Sequence, residues 1–120
     1  MFENKQIPEG KEFLLKNKFE NTIDKVFAIF EQNAFRKLDP EGFSDGRINR
    51  AIMDVIMLSF ERYDKVNLIA KKDEILYLYS HLPIEDKEFD VSITIGTSDI
   101  NRVLYRLRIW TTNLRMLMGS

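Results

Sequence analysis

The run Arg47-Ile48-Asn49-Arg50-Ala51-Ile52-Met53-Asp54-Val55-Ile56-Met57-Leu58-Ser59-Phe60-Glu61-Arg62-Tyr63 decides how the rest of the chain is read. Ile48, Ile52, Val55, Ile56, Ser59 and Phe60 recur at spacings of three and four, which stacks them on one side of a helix. Met53, Met57 and Leu58 carry the apolar surface further around the cylinder, leaving Asn49, Arg50, Asp54 and Glu61 as a narrow polar remainder. A helix apolar on nearly all sides is expected to be surrounded by others. The expected fold is therefore all-α, a compact bundle of four to six helices around this central apolar helix.

Upstream, a helix is expected from about Lys11 to Phe35, with Phe19, Ile23, Val26, Phe27 and Phe30 at helical spacing and a break near residues 16–18. Asp39-Pro40-Glu41-Gly42 reads as a turn, and Ser44 or Asp45 offers an N-cap for the apolar helix. Downstream, Ile75, Leu76, Tyr79 and Leu82 mark a helix over roughly Lys72 to His81, and residues 67–70 fit either the end of the apolar helix or a short turn. In Phe89–Ile95, apolar and polar residues alternate as in a strand. No second strand is evident to satisfy its backbone groups. A short helix entered through Pro83 and ended by Gly96 is the reading adopted, with pairing to a strand of another chain as its competitor. The last helix is capped by Thr97 or Ser98, with Asp99 in its first turn. It carries Ile100, Val103, Leu104, Leu107, Trp110, Leu114 and Leu117 and runs to about Met118, roughly 30 Å.

A length of 120 residues fits a single domain, residues 1–120. At this size roughly 65% of the unfolded surface can be buried, so one core can hold the chain without cross-links. Its apolar fraction of 44% is that of a packed protein. Met1–Gly10 is polar and expected to be flexible. The opening Phe2-Glu3-Asn4-Lys5 reads like a chain entered midway, so a piece of a longer protein or a separate module is expected. The net charge of −1 argues against a binder acting through bulk positive charge. The absence of cysteine excludes disulfides and thiol chemistry. No run approaches a membrane span and no signal-peptide core is present, which suits a cytoplasmic protein without membrane contact.

Few residues point to chemistry. His81 is the one histidine and has no cysteine or serine-aspartate arrangement beside it, so it reads as a helix C-terminal histidine. Asp73, Glu74, Glu85, Asp86, Glu88 and Asp90 do not have EF-hand spacing and read as solvated helix ends. There is no P-loop, dinucleotide fingerprint or nucleophile elbow. No catalytic residue, cofactor or metal ligand is expected. Residues 100–120 carry four arginines and no acidic residue, whereas residues 73–90 carry six acidic residues and one lysine. Arg102, Arg106, Arg108 and Arg115 are accordingly the candidate contacts for nucleic acid or a partner, with Asn101, Tyr105 and Asn113 as polar helpers. The competing reading is a solvated face paired with the acidic segment. Met53, Met57, Met116 and Met118 offer an adaptable binding surface or fill core gaps. Trp110 and Tyr105 suit an interface.

Taken as an ordered set, Ala34-Phe35-Arg36-Lys37, then Arg47-Ile48-Asn49-Arg50-Ala51, then Phe89, Ile93, Thr97, Val103 and Arg106 resemble the C-terminal helical part of the ParB-like, DGQQR-motif nuclease family. That family includes the GmrSD-type modification-dependent restriction enzymes and the phosphorothioate-sensing SspE proteins. The likeness covers roughly Phe19 to Met118, and the DGQQR stretch itself has no counterpart, so no catalytic residue carries over. The resemblance implies a non-catalytic helical module of a bacterial restriction or anti-phage nuclease system, docking to a catalytic half and contacting DNA. A stand-alone helical interaction or regulatory protein, such as a homodimeric adaptor, is the alternative.

Overall fold

A computed structural model describes residues 9–119. Most of the expected flexible start, Met1–Gly10, lies outside the described residues; Glu9 and Gly10 belong to the first helix. In chain order the elements are α1 (Glu9–Phe30), one 3₁₀ turn (Glu31–Asn33), β1 (Arg36–Leu38), β2 (Ser44–Ile48), α2 (Arg50–Phe60), α3 (Lys65–Ala70), α4 (Lys72–Glu85), α5 (Lys87–Thr94) and α6 (Ile100–Met118). The fold is a mostly helical bundle, with six α-helices among the described residues.

The first departure from expectation is at the end of α1. The helix stops at Phe30 rather than Phe35, because Glu31 adopts φ 53° and Phe35 adopts φ 64°. Left-handed backbone at two side-chain-bearing residues costs on the order of 1–2 kcal/mol each. It turns the chain back into an antiparallel hairpin, β1 against β2. Asp39 closes the turn: its carboxylate accepts the backbone N–H of Glu41 at 3.0 Å and of Phe43 at 2.9 Å. Arg36 faces Ile48 and Leu38 faces Ser44, so two extra residues of β2 bulge out around Gly46, whose φ is 86°.

The hairpin takes Arg47 and Ile48 out of the apolar helix. Neither Ser44 nor Asp45 caps that helix. Ser44 Oγ instead accepts the Gly46 N–H at 2.9 Å, within the bulge. The cap is Asn49, whose side-chain oxygen accepts the Ile52 N–H at 3.0 Å while its amide donates to the Ile93 carbonyl at 2.8 Å. From that start, α2 buries Ala51, Ile52, Val55, Ile56, Ser59 and Phe60. It is not sheathed on every side. Asp54 and Leu58 face outward, with Leu58 56% exposed.

The core is an aromatic chain linking four helices. The Phe30 ring lies 5.9 Å from Phe60 and 4.5 Å from Tyr79, and Trp110 meets Tyr79 edge-on at 6.1 Å. The polar ends of these rings are satisfied: Trp110 donates to Ser59 Oγ at 2.9 Å and the Tyr79 hydroxyl to the Arg36 carbonyl at 2.6 Å. Trp110 is thus a core residue rather than an interface one.

The remaining helices refine the expected boundaries. Residues 67–70 fall in the separate short helix α3. Helix α4 runs four residues past His81 and takes Pro83 inside it, so Pro83 does not open α5. Residues 87–94 are helical, not a strand. Asp86 caps α5 by accepting the Phe89 N–H at 3.0 Å, and Phe89, Ser92 and Ile93 are buried. Gly96, at φ 54°, follows its end as expected. Asp99, rather than Thr97 or Ser98, caps α6, accepting from Asn101 at 2.9 Å and Arg102 at 3.3 Å. Gly119 closes α6 in the left-handed region, its N–H donating to the Arg115 and Met116 carbonyls.

Candidate functional site

The four arginines of α6 do not form one surface. Arg106 is 4% exposed and donates through Nη1 to the carbonyls of Ser92 at 2.7 Å and Thr97 at 2.9 Å. Arg102, one turn earlier, donates to the Ile95 carbonyl at 2.6 Å. A helix leaves its last carbonyls without intrahelical donors. Arg102 and Arg106 supply donors at the end of α5 and in the turn that follows. Burial pushes the Arg106 pKa down, opposed by the nearby Asp54 carboxylate, and an arginine stays charged regardless.

Arg108 and Arg115 are exposed, Arg108 lying 5.5 Å above the Tyr105 ring. None of the four joins an ion pair among the described residues. The link between α6 and the acidic stretch is instead a phenol. Tyr105 donates to both Asp86 carboxylate oxygens, at 3.0 and 2.8 Å. That hydrogen bond holds the Tyr105 pKa above the ordinary phenol value. The other polar helpers lie apart. Asn101 is exposed at the start of α6, and Asn113 donates to the Ile109 carbonyl at 2.8 Å.

The remaining polar candidates are spread over the surface. His81 sits within α4, stacked on Tyr77 at 3.8 Å, with Nδ1 2.9 Å from the Tyr77 carbonyl and 3.1 Å from Ser80 Oγ. Asp73 and Glu74 occupy the first turn of α4 and Glu88 and Asp90 that of α5, where negative charge suits a helix start. Asp90 also pairs with Lys37 at 2.6 Å. Among the described residues, no group of three or more such side chains is placed to hold a metal ion. No described helix is long and apolar enough to cross a membrane.

A large concave feature among the described residues is mainly apolar. A groove of about 740 Å³ lies where α1, α2 and the start of α6 meet, lined by Phe19, Met53, Met57, Leu58, Val103 and Leu107, among others. Two of the four methionines considered as an adaptable surface line it; Met116 is exposed and Met118 partly buried elsewhere on α6. Beside the groove, α1 continues as an uncovered stretch over residues 14–21. Residues 14–21 are all exposed, including Leu14 at 65%, Leu15 at 51% and Phe19 at 60%.

That overhang has a simple origin. Phe19, Ile23, Val26 and Phe30 form one stripe at helical spacing. Its lower part packs into the core, whereas Leu15 and Phe19 extend it beyond the body. With Leu58, these side chains leave on the order of 400 Å² of apolar surface uncovered.

Sequence spacing alone did not reveal this surface, because Leu58, Leu15 and Phe19 sit at positions that normally face a core. The burial of Arg106 did have a signal, since it shares an i, i+4, i+8 row with Trp110 and Leu114.

Comparison with protein-family models, curated proteins and solved structures finds no match for the chain.

Proposed function

We propose that this protein is a non-catalytic helical interaction module of a bacterial restriction or anti-phage nuclease system, working in the cytoplasm by assembly rather than chemistry. The observation that carries the assembly role is the uncovered apolar surface of α1, α2 and α6. Apolar surfaces of several hundred Å² with polar rims mark interaction sites. Most of the polar candidates, by contrast, are engaged in capping, stacking and ion pairing, Asn101 and Arg115 being exceptions. The nuclease setting rests on the resemblance of Ala34–Lys37, Arg47–Ala51 and the Phe89 to Arg106 series to the DGQQR-motif family. In that family's pattern Ala34–Lys37 ends a helix, whereas here it forms a turn and β1. Contact with DNA falls to Arg108 and Arg115, the two exposed arginines of α6.

The test uses the DGQQR-bearing nuclease half encoded in the same reading frame or beside it. The purified chain is expected to co-elute with that half and to leave DNA uncut when supplied alone with Mg²⁺. Cleavage by the isolated chain, failure to co-elute, or a genomic neighbourhood without such a half overturns the reading.

A further inference from the structure

The groove and the overhang are complementary features of the same chain. One is concave, between α1, α2 and α6. The other is convex, the exposed residues 14–21 of α1, about 12 Å long at the standard helical rise, with Lys18 tied back to Glu61 at 2.9 Å. A second copy brings a convex overhang to each concave groove. One two-fold axis covers both at once, and such closed, isologous pairing is the commonest form of homo-oligomer.

Charge gives the pairing a direction. The groove side of α2 carries exposed Arg50 and Asp54, four residues apart. The overhang carries exposed Lys16 and Glu20, also four residues apart. None of these four joins an ion pair among the described residues. Four residues rise about 6 Å on either helix. An overhang laid antiparallel to α2 therefore sets Lys16 against Asp54 and Glu20 against Arg50 simultaneously. A parallel overhang sets like charges against each other.

The roughly 400 Å² of apolar surface per chain is about half of the roughly 800 Å² per partner of a standard interface, and the charged rim adds to it.

We infer that the protein forms a two-fold homodimer in which the α1 overhang of each copy, residues 14–21, lies antiparallel to α2 in the groove of the other, held by Leu15, Phe19 and Leu58 and oriented by Lys16–Asp54 and Glu20–Arg50 pairs. The dimer goes beyond the proposed function and shares with it only the reading of this surface as one for assembly, with a second copy rather than the nuclease half as its occupant.

The test is sedimentation velocity of the purified chain over a concentration series at low and high salt. The wild type is expected to be a dimer. Lys16→Glu and Asp54→Lys are each expected to weaken it about tenfold, with the double exchange restoring most of the loss. Both positions are exposed, and circular dichroism checks that each variant folds, Asp54→Lys above all because it sets a cation near Arg106; Lys16→Glu, away from Arg106, carries the test if Asp54→Lys does not fold. Leu58→Asp is expected to weaken the dimer at least about a hundredfold.

A monomer across the series, a dimer indifferent to both single reversals, or single losses that the double exchange fails to restore overturns the inference. A monomer that still captures the nuclease half through Leu58 overturns the dimer and leaves the proposed function standing. A dimer that passes the charge exchange but ignores the nuclease half supports the dimer and overturns the nuclease role.

Discussion

Replacing Arg106 with alanine should destabilise the fold by about 3 kcal/mol, although an arginine on a basic helix reads as a surface residue. Arg106 is 4% exposed, and its Nη1 donates to Ser92 at 2.7 Å and Thr97 at 2.9 Å. A hydrogen bond from a charged donor is worth about 1.5–3 kcal/mol. In the variant the Ser92 carbonyl, in the last turn of α5, stays buried without this donor. The Thr97 carbonyl, only partly buried, recovers water and offsets part of the cost. For a chain of this length 1 kcal/mol corresponds to roughly 3–5 °C in Tm, so a drop of about 10–15 °C is expected. That is a large share of a total stability of about 5–15 kcal/mol.

Urea unfolding followed through Trp110, the single tryptophan and itself buried, measures the change. Arg108→Ala, two residues away on an exposed face, should stay within about 0.5 kcal/mol of wild type. If Arg106→Ala costs less than about 1 kcal/mol, or no more than Arg108→Ala, the assignment of Arg106 to holding the α5–α6 junction is wrong.

Two further changes probe neighbouring contacts. Asn49→Ala removes both the α2 cap and the bond to Ile93, for an expected loss of about 2 kcal/mol; Asn49→Asp, which keeps the capping oxygen, should recover about half in the same urea assay. Because the Tyr105 pKa is raised by the phenol bond to Asp86, that contribution is complete below the ordinary phenol value and is lost as pH rises through the folded value. The stability difference between wild type and Tyr105→Phe should therefore be flat below about pH 10 and move against the wild type above it.

Much of the helical skeleton was legible in the residues. Spacings of three and four located all or part of α1, α2, α4 and α6, because a core-facing stripe imprints its period on the sequence. The turn at Asp39–Gly42 was legible too, since aspartate and glycine form it by local hydrogen bonding and positive φ.

The hairpin was not. β1 has three residues, too few to show alternation, and β2 reads Ser44-Asp45-Gly46-Arg47-Ile48, a largely polar stretch interrupted by a bulge. It is held by partners distant in sequence. Tyr79 of α4 donates to the Arg36 carbonyl, and the Asn49 N–H donates to the Phe35 carbonyl at 2.8 Å. Where no regular strand was expected, the chain therefore made a short irregular one and moved the start of α2 to Asn49.

The candidate site divides along the same line. Amino-acid order determined that the C-terminal helix is basic and that its apolar residues share a face, because those properties depend on composition and on the geometry of one helix. Only the packing of α5 against α6 decided that Arg102 and Arg106 close a helix end while Arg108 and Arg115 meet solvent. Only the angle and length of α1 relative to α2 decided that Leu15, Phe19 and Leu58 stand uncovered. Periodicity says which side chains share a face; whether another part of the molecule covers that face depends on where the elements stop, and that is a property of the assembled body.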